Sequence, residues 1–190
     1  MPRIAPLPLD EAKAAARAAG IRESLAQANA VRVLLRHPEL AKGVLGLLTT
    51  LLFTGKKLDV RLRELLIMRI GWVTGSMYEW TQHWRLARDL KVPAEDVVGV
   101  RDWRNYARFS KADRAVLAAV DDTLARGKIS DAVWAECVEH VGGEEELIEM
   151  VVAIGNWSMF SQLLRSLEVP LEDGVSGWPP DGVAPVQSHG

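Results

Sequence analysis

The sequence has almost no cysteine. Cys137 stands alone among 190 residues, so no disulfide can close within the chain and no zinc site built on several thiolates can form. Positive charge is not in excess either. Lys and Arg number 23 against 25 Asp and Glu, and the net charge of -2 provides no field that would gather nucleic acid or an anionic membrane surface. The opening stretch MPRIAPLPLDEAK lacks the apolar core of a leader peptide, and charges interrupt the apolar runs before they reach the length of a membrane span. These absences predict a cytoplasmic protein with neither a nucleic-acid nor a membrane partner. Internal repeats, low-complexity stretches in the core and the alternating pattern of β-strands are missing as well.

What is present is helix punctuation on a chain that is 48% hydrophobic, enough for a sizeable core. Pro38 follows His37 at a helix start, Gly55 closes a long apolar run, and Pro93 opens PAEDVVGV. The periodicity predicts an all-α protein with helices near 9–19, 22–36, 38–54, 59–74, 76–90, 93–100, 110–126, 130–141 and 143–167. Residues 1–167 read as one helical domain with a variable N-terminal segment. From 168 to 190 the composition turns to prolines and glycines, which predicts a tail that runs over the surface or onto a neighbouring subunit.

Helix 59–74 is apolar on two stripes. Leu62, Leu65, Leu66, Ile70 and Val73 form one; Ile67, Met68 and Gly71 form the other, with Glu64 at its head. Such a helix is largely buried, so the Glu64 carboxylate points into a poorly hydrated space and needs a partner. On the next helix, Met77, Trp80, Trp84 and Ala87 share one stripe, while Glu79 and His83 stand one turn apart on the adjacent one.

The stretch RLRELLIMRIGWVTGSMYEWTQHWRLARDL, residues 61–90, resembles the signature helix pair of the carboxymuconolactone decarboxylase family, which includes the alkylhydroperoxidase D-like proteins. ANAVRVLLRHPELA upstream and VPLEDG downstream are similar to the flanks of its longer members, so the resemblance covers most of 28–174. It implies an alkylhydroperoxidase D-like helical bundle and a homo-oligomer. In the peroxidase branch a Glu precedes a CxxC pair and a His. Glu64 matches the acid, Ser76 and Glu79 occupy the two cysteine positions, and His83 matches the histidine.

Without two thiols the peroxidase cycle cannot run, because one thiolate must attack the peroxide and a second must resolve the sulfenic acid. Two carboxylates and an imidazole remain, the components of acid–base chemistry. The expected function is a cofactor-independent lyase or decarboxylase acting on a small carboxylated or aromatic-derived substrate. His83, Glu64 and Glu79 would be catalytic, with Trp80, Trp84 and Ser76 lining an apolar pocket between helices 59–74 and 76–90. No metal and no cofactor are expected. The alternatives are a peroxide reductase that uses Cys137, otherwise a small core residue, and a non-catalytic binding protein.

Plainer structural roles remain open for the same residues. Ser76 and Glu79 fit a capping box, and Glu64 could pair with a buried arginine such as Arg69. Arg101, Arg104 and Arg108 form either an anion-binding edge or a solvated connector. His37 marks a helix start, and His140 suits a helix C-terminus. Seven Trp and the run LIEMVVAIGNWSMFSQLL call for cover by a second subunit.

Overall fold

The computed structural model describes residues 2–186, and among these every regular element is helical. The α-helices are α1 (Leu9–Ala18), α2 (Asn29–Leu34), α3 (Pro38–Thr49), α4 (Val60–Thr74), α5 (Met77–Asp89), α6 (Ala94–Gly99), α7 (Lys111–Arg126), α8 (Asp131–His140) and α9 (Glu144–Ser166). Residues 187–190 of the expected tail lie outside the described residues. The chain divides into two compact units. One runs up to Gly55 and includes Leu163–Ser176; the other holds Lys56–Gln162 and the chain from Gly177 onward.

Local chemistry sets the helix ends. His37 caps α3, its Nδ1 accepting from the Leu40 N–H. The Asp59 carboxylate accepts from the N–H groups of Arg61 and Leu62, and Ser110 with Asp113 forms a reciprocal capping box on α7. The predicted helix 22–36 is broken. A 3₁₀ turn at Glu23–Gln27 and α2 are separated by Ala28 in an extended conformation. The cause is Asn29, whose backbone N–H donates to Glu172 and whose side-chain amide donates to the carbonyls of Pro170 and Leu171. The 38–54 helix likewise ends in a π turn at Thr50–Thr54.

In the second unit α4 packs against α5 and α7, and α7 against α8. A buried cluster of Leu65, Met68, Trp80, Val97, Val100 and Leu117 forms its centre. Gly75 ends α4 at φ 69°, a left-handed conformation suited to glycine, and turns the chain into α5. Gly71 lets the two helices close: a Cβ there would lie 3.2 Å from the Trp80 backbone nitrogen.

Part of the Pro/Gly-rich segment joins this core. Trp178 packs edge-on to Trp72 with centroids 6.0 Å apart and lies 6.0 Å from Trp80. The Trp80 indole N–H donates to the Pro179 carbonyl at 2.7 Å, and the Trp178 backbone N–H to the Thr81 hydroxyl at 3.3 Å. Arg101 stacks on Trp72 and Trp80 while pairing with Asp181.

Helix α9 corrects the expectation that charges interrupt the apolar runs short of a membrane span. Its 23 residues are long and apolar enough for one. Met150, Ala153, Ile154 and Trp157 are buried, as in a core helix, while Ile148, Val151 and Met159 are exposed. Most of the tryptophan is absorbed by the fold. Trp80, Trp103 and Trp157 are buried and Trp72, Trp84 and Trp178 half-buried; Trp134 is exposed.

Candidate active site

The site is assembled on the α4–α5 pair and closed by α9. Glu64 sits in the second turn of α4, where its two-stripe burial leaves it 0% exposed, beside Arg63 at 2%. From α5 come Glu79 at 6% and His83 at 8%, one turn apart as the sequence predicts. Arg63 donates to Glu64 Oε1 through Nε and Nη2 at 3.1 and 3.0 Å. Glu64 Oε2 lies 2.8 Å from His83 Nδ1, and Glu79 Oε2 is 3.6 Å from His83 Nε2. Glu64, Glu79 and His83 therefore meet in one buried cluster.

The electrostatics follow from this burial. Glu79 is pushed up to about 7, chiefly because its charged form is desolvated and secondarily because Glu64 repels it, against the attraction of His83. Burial works against a charged His83, but Coulomb attraction to Glu64 and the hydrogen bond that His83 donates to it, with a further contribution from Glu79, outweigh burial and raise the imidazole above its ordinary value. Arg63 pairs with Glu64, so Glu79 is the acid of the cluster whose charged neighbour is the imidazole rather than a guanidinium. An acid near neutrality beside an oriented imidazole can both donate and accept a proton at physiological pH.

Several structural alternatives are corrected. Ser76 is the N-cap of α5, but its hydroxyl makes no capping bond and is buried without a hydrogen-bond partner. The capping box is therefore not formed, and the Glu79 carboxylate stands by His83 instead. Arg69 is not the partner of Glu64. It reaches Asp121 at 2.7 Å and the carbonyls of Val100 and Arg101. Trp80 is fully buried in the core, and Trp84 packs half-buried against it. The three connector arginines are individually paired: Arg101 with Asp181, Arg104 with Asp121, Arg108 with Glu95. No shared anion edge arises from them.

Two residues of the site escaped the sequence analysis. Arg63 was one charge among several on a buried helix. Trp157 lay in the apolar run of α9, yet its indole N–H donates to His83 Nε2 at 2.9 Å. A buried indole requires an acceptor, which was the available signal. Cys137 is buried, its Sγ donating to the Ala115 carbonyl at 3.6 Å, and burial with the nearby Glu136 raises its thiol to about 11. Among the described residues no group of three His, Cys, Asp or Glu side chains is placed to hold a metal ion.

Residues 38–122 match the profile of the carboxymuconolactone decarboxylase family. That segment is the part of the chain that is similar to the family. It carries Glu64, Ser76, Glu79 and His83, and with a single cysteine in the whole chain it lacks the CxxC pair. Solved structures share the all-helical, AhpD-like fold. An uncharacterized peroxidase-related protein from Silicibacter sp. TM1040 aligns with a TM-score of 0.71 at 13% identity, covering 92% of this chain and 91% of its own. The alkylhydroperoxidase AhpD core of a peroxidase-related protein from Ralstonia eutropha JMP134 gives 0.70 at 14%, covering 90% and 93%. The debrominase Bmp8 gives 0.71 at 17%, covering 90% and 92%. No curated protein matched the sequence.

Proposed function

We propose that this carboxymuconolactone decarboxylase-family chain is a cofactor-independent acid–base enzyme of the lyase or decarboxylase type, acting on a small carboxylated or aromatic-derived molecule. The observation that carries the reading is the buried Glu64–His83–Glu79 cluster with Glu79 poised near 7. Loss of carbon dioxide leaves an electron pair that must be protonated, and a neutral Glu79 carboxyl is a suitable donor. His83, held by Glu64, would take up a proton from solvent at Nε2 and return it to the Glu79 carboxylate. Bmp8 has been crystallised with 2,3,4-tribromopyrrole, which is consistent with a fold that accepts small aromatic-derived ligands.

A thiol mechanism has less support. The CxxC positions hold Ser76 and Glu79, and Cys137 is a buried thiol pushed far above the range in which it ionises at neutral pH. The test is carbon dioxide release from a panel of small carboxylated compounds, beginning with carboxymuconolactone. His83→Gln is expected to cut kcat by about two to four powers of ten with an unchanged circular dichroism spectrum. Dithiol-linked hydroperoxide consumption that disappears in Cys137→Ser would overturn the reading, as would ligand binding without turnover that His83→Gln leaves intact.

Self-association belongs to the same reading. On α9, Val151 and Met159 are exposed four residues to either side of Gly155, where a Cβ would meet open space. Two antiparallel copies of this helix would set Val151 against Met159 in both directions, as a two-fold interface requires. Light scattering is expected to give at least twice the 21.0 kDa chain mass at micromolar concentration. A monodisperse monomer, or an oligomer unaffected by Val151→Glu, would refute this interface.

A further inference from the structure

We propose that Trp157 is a positioning residue that holds His83 in its neutral Nδ1–H tautomer, with the Nε2 lone pair engaged, so that the ring passes charge to Glu79 only when the indole lets go. The inference rests on the acid–base reading of the cluster and concerns how that cluster is set. Its basis is an asymmetry of donors. An indole nitrogen can only donate, so the 2.9 Å bond from Trp157 Nε1 requires His83 Nε2 to be an unprotonated acceptor. The ring proton must then lie on Nδ1, where Glu64 Oε2 accepts it at 2.8 Å. The two rings meet edge-on, 84° apart with centroids at 5.6 Å, which keeps the imidazole plane in line with both partners.

Protonating Nε2 in this arrangement would set two N–H groups against each other. The proton would need a different acceptor, and Glu79 Oε2 stands 3.6 Å away. Charging of His83 is thus coupled to release of the indole and a turn toward Glu79. The charged groups that face the ring are Arg63 and Glu64 from α4 and Glu79 from its own helix; α9 contributes the uncharged indole. The carboxylates favour imidazolium, the indole favours imidazole, and the opposition keeps the ring responsive near neutrality. Phe at 157 would keep the edge-on packing and remove the opposition.

Side-chain nitrogen NMR of the full chain tests this without any substrate, with His83→Gln identifying the resonances. At a pH above the His83 midpoint, the unmodified protein is expected to show the neutral ring with protonated Nδ1 and bare Nε2. Trp157→Phe is expected to raise the His83 midpoint by about one pH unit, a tenfold gain in proton affinity, and to admit the Nε2–H tautomer. A merely structural role would lower the melting temperature and leave the midpoint in place, which overturns the proposal. A protonated Nε2 in the neutral ring of the unmodified protein overturns it too, even if the variant fails to fold. Should the NMR results hold while His83→Gln leaves turnover unchanged, the acid–base function fails and the positioning role stands.

Discussion

Glu79→Gln is expected to make the protein more stable at pH 8 while disabling it. Glu79 titrates at about 7 in the fold against an ordinary 4.5. Between those values the folded chain keeps a proton that the unfolded chain releases, so stability declines as pH rises from 4.5 to 7 and levels off above. Gln carries no such proton. The difference between variant and parent should be near zero at pH 4 and grow to about 3 kcal/mol in favour of Gln at pH 8. His83 is raised as well and contributes a decline of the same sign as pH passes through its folded value; the variant keeps the larger share of this, which comes from Glu64, and loses the smaller share from Glu79. Urea midpoints at pH 4 and 8 measure the difference. Turnover should fall by about two to four powers of ten at every pH. Equal midpoint shifts at both pH values would mean that Glu79 is not held protonated by its surroundings.

Glu64→Ala is expected to act in the opposite direction, lowering stability at neutral pH. The carboxylate holds both the Arg63 guanidinium and His83 Nδ1 in a space closed to water. Its removal leaves a buried positive charge without its counter-ion, and the cost should be about 3–5 kcal/mol. Glu64→Gln keeps an oxygen for one donor and should lose markedly less. Urea unfolding of both variants decides the matter. An Ala variant within about 0.5 kcal/mol of the parent would show that the ion pair contributes nothing to holding Arg63 in the interior.

The all-α fold and the α4–α5 pair were legible because helix caps and 3.6-residue periodicity are local properties. Pro38, Gly55 and Pro93 stand at or beside the boundaries they mark. Glu64, Glu79 and His83 were legible for a related reason: one is the charge on a buried stripe, and the other two are a turn apart. What was not legible depends on partners distant in sequence. Asn29 breaks a helix because Glu172 competes for its backbone N–H. Glu64 turns to its neighbour Arg63 because Arg69 is taken by Asp121, 52 residues away. Trp157 lies 74 residues from His83 and looked like any other aromatic in an apolar run. The Ser76 hydroxyl matched a capping pattern whose geometry did not form.

The segment around Trp178 bears on the lifetime of the folded state rather than its architecture. Its hydrogen bonds to Trp80 and Thr81 join residues 99 and 97 apart, and the Arg101–Asp181 pair closes 80. Contacts of that separation carry a loop-closure cost that is met only after the nearer helices have docked. The strap around Trp72 and Trp80 should accordingly form late, after the rate-limiting step of folding. Weakening it would leave the folding rate nearly unchanged and appear almost wholly as faster unfolding. A segment whose composition suggests a loose tail would thereby set how long the α4–α5 pair stays shut.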